Sequence, residues 1–157
     1  MATLKSPVKE IRFISPNGIN FLIKEEGIIL KPYRDSVGIP TIGIGCTYYE
    51  NGQKVKMTDP PITRDRAIGL FKNVLAAYEI AVWSNTRDDI NQNQFDALVS
   101  ICYNIGVNGL KGSTLLKRVN ANPNDPSINE AFKMWKNAGG KPILLNRRIR
   151  EANLYFS

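Results

Sequence analysis

A segment with the pattern of strands and turns, residues 28–55, interrupts a chain that is otherwise patterned for helices. Residues 40–45 form a short β-branched run broken by glycines, which is typical of a strand that another backbone approaches closely. Residues 35–38 predict a turn, and the dipeptide Asn51-Gly52 predicts a hairpin with a two-residue loop. We therefore predict a small sheet of about three strands in this segment.

A short helix is predicted directly before this segment. Its apolar residues recur at helical spacing, namely Ile19, Leu22 and Ile23. Ser15-Pro16 supplies a capping residue and a first-turn proline, and Gly27 supplies a C-terminal stop. Glu26 is therefore expected at the end of the first helix.

The rest of the chain predicts five helices, over residues 63–83, 93–105, 113–119, 126–137 and 142–152. Thr63 can cap the first of these helices, and Gly106 ends the second. The inner face predicted for the first helix consists of Ala67, Leu70, Phe71, Val74, Leu75 and Tyr78. At 157 residues the chain has the size of one ordinary domain. We predict an α+β fold in which the small N-terminal β region packs beside a larger helical body, with a cleft between them. Residues 1–14 are predicted to be an appended arm, and residues 15–157 the domain itself.

The absence of histidine excludes several kinds of chemistry. It removes Ser-His-Asp and Cys-His catalysis and the common zinc sites that contain histidine. The two cysteines, Cys46 and Cys102, are far apart and lack a CxxC context, so we predict two free thiols, no metal and no cofactor. Carboxylates, hydroxyls, amides and arginines remain for chemistry.

The formal net charge of +7 favours polyanionic partners such as nucleic acid, anionic membranes or bacterial wall polymers, or it serves solubility alone. The basic residues are spread along the chain without the interleaved aromatic residues of a nucleic-acid module, so we expect no nucleic-acid partner. No apolar run is long enough to span a bilayer, and residues 1–13 lack the apolar block of a secretory signal. We expect no stable membrane insertion.

Two carboxylates and a hydroxyl offer a reaction that needs no histidine. Cleavage of a glycosidic bond requires one protonated carboxyl group and one ionised carboxylate. The negative end of a helix dipole raises the pKa of a carboxyl group, which suits Glu26 to the acid role. Asp35 lies in a polar turn, and the Thr41 hydroxyl could hold a water beside it. Because turn aspartates usually bond their own backbone, a purely structural role for Asp35 stays open at this point.

The stretch from Glu26 to Gly45 closely resembles the active-site signature of phage lysozymes of the T-even and lambdoid endolysin type, glycoside hydrolase family 24. That family carries Glu, then Asp after eight intervening residues, then Thr after five more, and Glu26, Asp35 and Thr41 match both spacings. Further matches are Gly27, Leu30, Tyr33, Gly38 and the Thr-Ile-Gly-Ile-Gly run from Thr41. Similar segments in the C-terminal half extend the resemblance to about residues 16–152.

The resemblance implies a muramidase that hydrolyses the β-1,4 bond between N-acetylmuramic acid and N-acetylglucosamine in peptidoglycan. Glu26 would protonate the leaving oxygen, and Asp35 with Thr41 would position the attacking water, which implies an inverting reaction. Further implied roles are substrate contacts by Thr47, Tyr103, Asn104 and Thr114, and pairing of Arg147 with the catalytic glutamate, with Arg148 as a rival for that pairing. Cys46 stands where the family usually has a structural histidine.

The resemblance further implies a monomeric endolysin that waits in the host cytoplasm and reaches the cell wall through a holin-type pore, for host lysis. Two other functions stay open. A lytic transglycosylase needs only the glutamate and expels rather than uses water; Asp35 and Thr41 at the family spacing argue against it. A non-enzymatic basic module would bind wall polymer or nucleic acid without cleaving it.

Overall fold

The computed structural model describes residues 11–157, so most of the predicted N-terminal arm lies outside the described residues. Its elements are α1 (Pro16–Glu26), β1 (Ile29–Arg34), β2 (Pro40–Gly43), α2 (Arg64–Asn85), α3 (Gln92–Ile105), α4 (Val107–Lys111), α5 (Thr114–Ala121), α6 (Ile128–Lys133) and α7 (Leu145–Tyr155). Two compact units result: Ile19–Ala76, and Ala77–Ser157 together with the described residues up to Gly18. The predicted α+β class is confirmed.

Helix α1 begins and ends where the sequence predicts. The Ser15 hydroxyl oxygen accepts a hydrogen bond from the Gly18 backbone N–H at 3.0 Å, as an N-cap does. At the other end the Gly27 N–H donates to the Ile23 carbonyl at 2.8 Å. Glu26 is therefore the last residue of the helix, as predicted.

The sheet has two antiparallel strands, so the prediction of about three strands is wrong. Thr41 lies opposite Tyr33, and β1 contains extra residues between Ile29 and Tyr33. At the end of β2 and just after it, Gly43 and Gly45 adopt positive φ values of 68° and 67°, which only glycine adopts without strain. They form a tight turn across which Ile42 and Cys46 exchange two backbone hydrogen bonds of 2.8 and 3.0 Å. This turn ends the pairing before a third strand can join.

The predicted hairpin at Asn51-Gly52 exists, but it is a separate ribbon with a single bridge between Tyr48 and Lys54. Its loop has three residues rather than two, because the Tyr49 N–H donates to the Gln53 carbonyl at 2.9 Å. We call residues 48–57 the outer hairpin. The Tyr49 hydroxyl donates to Asp59 at 2.8 Å, and the Arg66 guanidinium lies 5.5 Å from the centroid of the Tyr49 ring.

Helix α2 begins at its predicted cap, since the Thr63 hydroxyl oxygen accepts from the Arg66 N–H at 3.1 Å. The predicted inner face is mostly confirmed, but Val74 is exposed. In the Ile19–Ala76 unit the buried apolar residues are Ile19, Leu22, Ile23, Ile42, Ile44, Cys46, Val55, Ala67, Leu70, Phe71 and Leu75. They come from the inner faces of α1 and α2 and from the strand and turn segment between them.

In the other unit, α3 is the central helix and packs most extensively against α7. A capping box of Asn91 and Gln94 starts α3, and Gly106 ends it as predicted. The sequence prediction missed α4, whose five residues are too few to show a helical period. The last two helices differ from the predicted ranges 126–137 and 142–152. Helix α6 is only six residues long, and α7 starts at Leu145.

A buried carboxylate ties the start of α1 to α3. Asp96 is fully buried and accepts hydrogen bonds from the Ser15 N–H at 3.0 Å, from the Gln92 amide at 2.8 Å and from the Ser15 hydroxyl. The preceding residue is held as well, since the Ile14 N–H donates to Glu79 at 2.7 Å. The described end of the arm is thus bonded to α2 and α3.

We expect Asp96→Ala to lower the free energy of unfolding by about 3 kcal/mol, because three partly buried donors lose the acceptor that a fully buried carboxylate supplies. Urea denaturation followed by circular dichroism measures the change. The exposed Asp65 in the first turn of α2 is the matched control, and Asp65→Ala should stay within about 0.5 kcal/mol of the parent. Equal stability of the two variants would contradict the tethering role of Asp96.

Both thiols are free and buried, as predicted. Burial raises the pKa of Cys102 to about 11, and it also raises the pKa of Cys46. A higher pKa leaves less of the reactive thiolate at any pH below it.

At about pH 8 we therefore expect neither thiol to react with a disulfide reagent such as Ellman's reagent in the native protein. Unfolding in guanidinium should release both thiols of the chain. Rapid native reaction of Cys46 would show that the turn around it opens.

Candidate active site

Asp35 lies in the turn that joins β1 to β2, as predicted. The Asp35 N–H donates to the Ile39 carbonyl at 3.0 Å, and the Gly38 N–H donates to the Asp35 carbonyl at 2.9 Å. Gly38 has a φ of +87°, which the three-residue loop requires and which disfavours any other residue there. The backbone of Asp35 is therefore fixed from both its N–H and its carbonyl.

The two carboxylate oxygens of Asp35 have different surroundings. Oδ1 accepts hydrogen bonds from the Val37 N–H at 3.0 Å and the Ile39 N–H at 2.9 Å. Oδ2 accepts no hydrogen bond from any residue between 11 and 157, and the side chain is half-buried. The structural role of a turn aspartate thus uses one oxygen, and the other remains available to a water or a ligand.

Thr41 faces this turn from the neighbouring strand. Its hydroxyl donates to the Ile39 carbonyl at 2.8 Å, and its exposed fraction is only 2%. Since the proton of the hydroxyl is engaged, its lone pairs can accept a hydrogen bond from a water. The strand register places Thr41 opposite Tyr33.

Glu26 and Asp35 both influence the pKa of one side chain, Tyr33. Burial raises the pKa of Tyr33, and the charges of Asp35, Cys46 and Glu26 raise it further. All of these effects act in the same direction, because burial and nearby negative charges both disfavour the phenolate. Within the Ile19–Ala76 unit, the strand pairing places Thr41 opposite Tyr33, Asp35 follows Tyr33 by two residues, and Glu26 is a further charge that raises the Tyr33 pKa.

Thr47 belongs to the same unit. It is half-buried, and its carbonyl accepts from the Val55 N–H at 2.9 Å, which fixes the base of the outer hairpin.

The remaining candidate substrate contacts belong to the other unit. Asn104 is exposed, and its Oδ1 accepts from Arg148 Nη2 at 2.7 Å. Tyr103 is half-buried against Tyr78 in an edge-to-face pair with centroids 5.2 Å apart.

Thr114 is the first residue of α5 and directly follows the N-cap Ser113. Its side chain is half-buried. The substrate-contact assignments for Thr47, Tyr103, Asn104 and Thr114 stay predictions.

The two candidate arginines share a buried carboxylate that the sequence interpretation did not single out. Glu151 lies 2.7 Å from Arg148 Nε and 3.3 Å from Arg147 Nε, and it accepts from the Ser100 hydroxyl at 2.5 Å. Its spacing of three and four residues from the arginines on one helix was the available signal. The pairing of Arg147 with Glu26 stays a prediction. Arg148 is the arginine that holds Asn104.

The described part of the chain, residues 11–157, contains no cluster of histidine, cysteine, aspartate and glutamate suited to a metal ion. In the same range, no helix is both long enough and apolar enough to cross a bilayer. The groups gathered at Tyr33 are carboxyl and hydroxyl groups, and they are suited to proton transfer.

A family model described as phage lysozyme matches residues 23–151. This chain belongs to the phage lysozyme family. The resemblance seen in the sequence is thereby confirmed, and membership makes the protein a glycosidase of the endolysin class.

Individual relatives agree with this membership. The endolysin of Salmonella phage P22 is 46% identical over 145 residues, which cover 92% of this chain and 98% of the relative. A crystal structure of a P22 lysozyme mutant superposes with a TM-score of 0.86 at 44% identity, covering 94% of this chain and all of the other. The muramidase domain of SpmX from Asticaccaulis excentricus has a TM-score of 0.76 at 27% identity, covering 94% of this phage lysozyme and 99% of the domain.

The two roles of Asp35 can be separated by substitution. Asn retains an oxygen that can accept from Val37 and Ile39, so Asp35→Asn should keep the unfolding free energy within about 0.5 kcal/mol of the parent. Asp35→Ala loses both hydrogen bonds and should cost about 1–2 kcal/mol. Thermal denaturation of the three proteins measures these differences. Equal losses for the two variants would mean that Oδ1 does not stabilise the turn.

Proposed function

We propose that this phage lysozyme is a muramidase that hydrolyses the β-1,4 bond between N-acetylmuramic acid and N-acetylglucosamine in peptidoglycan. Glu26 is the general acid, and Asp35 with Thr41 positions and activates the water. The observation that supports this proposal most directly is the turn that fixes Asp35 Oδ1 and leaves Oδ2 without a hydrogen bond from residues 11–157. Thr41 lies on the adjoining strand, and Glu26 and Asp35 are both among the charges that raise the pKa of Tyr33. Two carboxyl groups that share one neighbourhood are what glycoside hydrolysis needs.

The proposed step is a single displacement. Glu26 gives its proton to the glycosidic oxygen as the bond from that oxygen to the anomeric carbon breaks. A water attacks the anomeric carbon from the opposite face and loses a proton to Asp35 Oδ2. The products are a reducing sugar of inverted configuration and a free hydroxyl, and proton exchange with solvent returns both carboxyl groups to their starting forms.

The fixed turn around Asp35 suits it to the role of base. Because Oδ1 is held by two backbone N–H groups, Oδ2 is kept in one direction without any cost at the moment of reaction. The Thr41 oxygen would accept the second hydrogen of the same water. Thr47, Tyr103, Asn104 and Thr114 would contact the sugars, and the Arg148 hydrogen bond would keep the Asn104 amide in a fixed orientation.

The cellular role follows from the same proposal. The endolysin name of the P22 relative supports lysis of a bacterial host, and the net charge of +7 suits anionic wall polymers. We propose a monomer without a cofactor or a nucleic-acid partner. It would accumulate in the host cytoplasm and reach the wall after a holin-type pore has opened.

Digestion of purified peptidoglycan by Glu26→Gln tests the acid assignment. Loss of the proton donor should lower the rate by roughly a hundred- to ten-thousand-fold, while the fold is retained. Glu25→Gln is the matched control, since Glu25 is the preceding, equally half-buried residue of α1 and should retain parental activity. A Glu26→Gln protein that clears walls at a near-parental rate would contradict the proposal.

Mass spectrometry of the fragments distinguishes the reactions. Hydrolysis gives reducing ends that are one water heavier than the anhydro-sugars of a lytic transglycosylase. Proton NMR of the first-formed anomer should show inversion. Anhydro-sugar products, or binding to the wall without fragments, would replace the muramidase proposal with one of the two alternatives.

A further inference from the structure

Tyr33 has a defined place in the hairpin that carries the proposed catalytic residues. It is the fifth residue of β1, opposite Thr41 in β2 and two residues before Asp35. Residues that oppose each other across an antiparallel pair share one face, and so do residues two apart along a strand. The hydrogen bond from the Asp35 N–H to Ile39 continues this pairing up to the turn. Tyr33, Thr41 and Asp35 therefore present their side chains on the same face.

The hydroxyl of Tyr33 has no hydrogen-bonding partner in the described part of the chain to explain its position. It makes no hydrogen bond with any residue in the range 11–157, although the side chain is half-buried. A partly buried donor normally bonds to a protein acceptor, a water or a ligand. Because burial and the nearby carboxylates raise its pKa, the phenol stays protonated and remains a donor at neutral pH.

We propose that the Tyr33 hydroxyl is a further substrate-contacting group, which donates a hydrogen bond to an oxygen of the sugar held between Glu26 and Asp35. This inference rests on the proposed function, because it takes the space beside the two carboxyl groups to be the sugar site. Asp35 Oδ2 is not its resting acceptor, since it accepts nothing from the described chain. The bond is therefore formed when substrate enters.

Tyr33→Phe tests the proposal, because it removes the hydroxyl and keeps the ring. On soluble, peptide-free glycan fragments of peptidoglycan we expect kcat/KM to fall by roughly five- to thirty-fold. The melting temperature should not change, since the hydroxyl has no hydrogen bond to residues 11–157 to lose. The two limbs of the pH profile of kcat/KM should also stay in place, because they report carboxyl groups of the free enzyme.

Tyr48→Phe is the control, since Tyr48 is half-exposed in the outer hairpin of the same unit and should retain full activity. Full activity of Tyr33→Phe would overturn the inference. So would a fall in activity that accompanies a lower melting temperature, which indicates a packing role, or a shifted limb, which indicates action through a carboxyl group. Glu26→Gln in the same assay separates the two proposals: if it is inactive while Tyr33→Phe is fully active, only the Tyr33 inference fails.

Discussion

The hydrogen bonds that close the turn between β1 and β2 determine the geometry of the candidate site. One carboxylate oxygen of Asp35 and both of its backbone groups are used to close that turn. The closed turn fixes the register, and the register places Thr41 opposite Tyr33. A two-stranded ribbon is marginal on its own, so its stability depends on the buried side chains of Ile42 and Ile44 beneath it. The same interactions therefore stabilise the hairpin and orient the proposed base.

The unit that contains Ala77–Ser157 is stabilised differently, by carboxylates that are buried away from water. Asp96 and Glu151 are both fully buried, on α3 and α7. Burial of a charge is costly unless hydrogen bonds and opposite charges compensate for it. Asp96 is compensated by Ser15 and Gln92, and Glu151 by two arginines and Ser100. Such carboxylates accept only a narrow set of neighbours, which favours one arrangement of the helices over others.

Much of this architecture could be predicted from the sequence where a local signal exists. The cap at Ser15, the stop at Gly27 and the cap at Thr63 each depend on neighbouring residues, and all three are present. The third strand was wrongly predicted because pairing is a long-range property, and two glycines with positive φ redirect the chain before it can pair. Helix α4 was missed because a single turn carries no period.

The candidate site likewise has features that the sequence could predict and features that it could not. The spacing of Glu26, Asp35 and Thr41 lies within one short stretch, so the resemblance to the family could indicate it directly. The hydrogen bond from Arg148 to Asn104 joins residues that are 44 positions apart, and no local sequence pattern indicates it. The position of Tyr33 opposite Thr41 likewise depends on the strand register, which sequence patterning does not fix.

The outer hairpin is held by contacts with the residues that directly follow it and with the start of α2. The Tyr49 hydroxyl donates a hydrogen bond to Asp59, and Arg66 lies over the Tyr49 ring. The tip of the hairpin, at Asn51-Gly52, is exposed. Loops whose ends are held together tolerate added length at small entropic cost. Added length at this tip should therefore leave the Asp35 turn undisturbed, and a foreign peptide inserted between Asn51 and Gly52 would be displayed by an enzyme that keeps its shape.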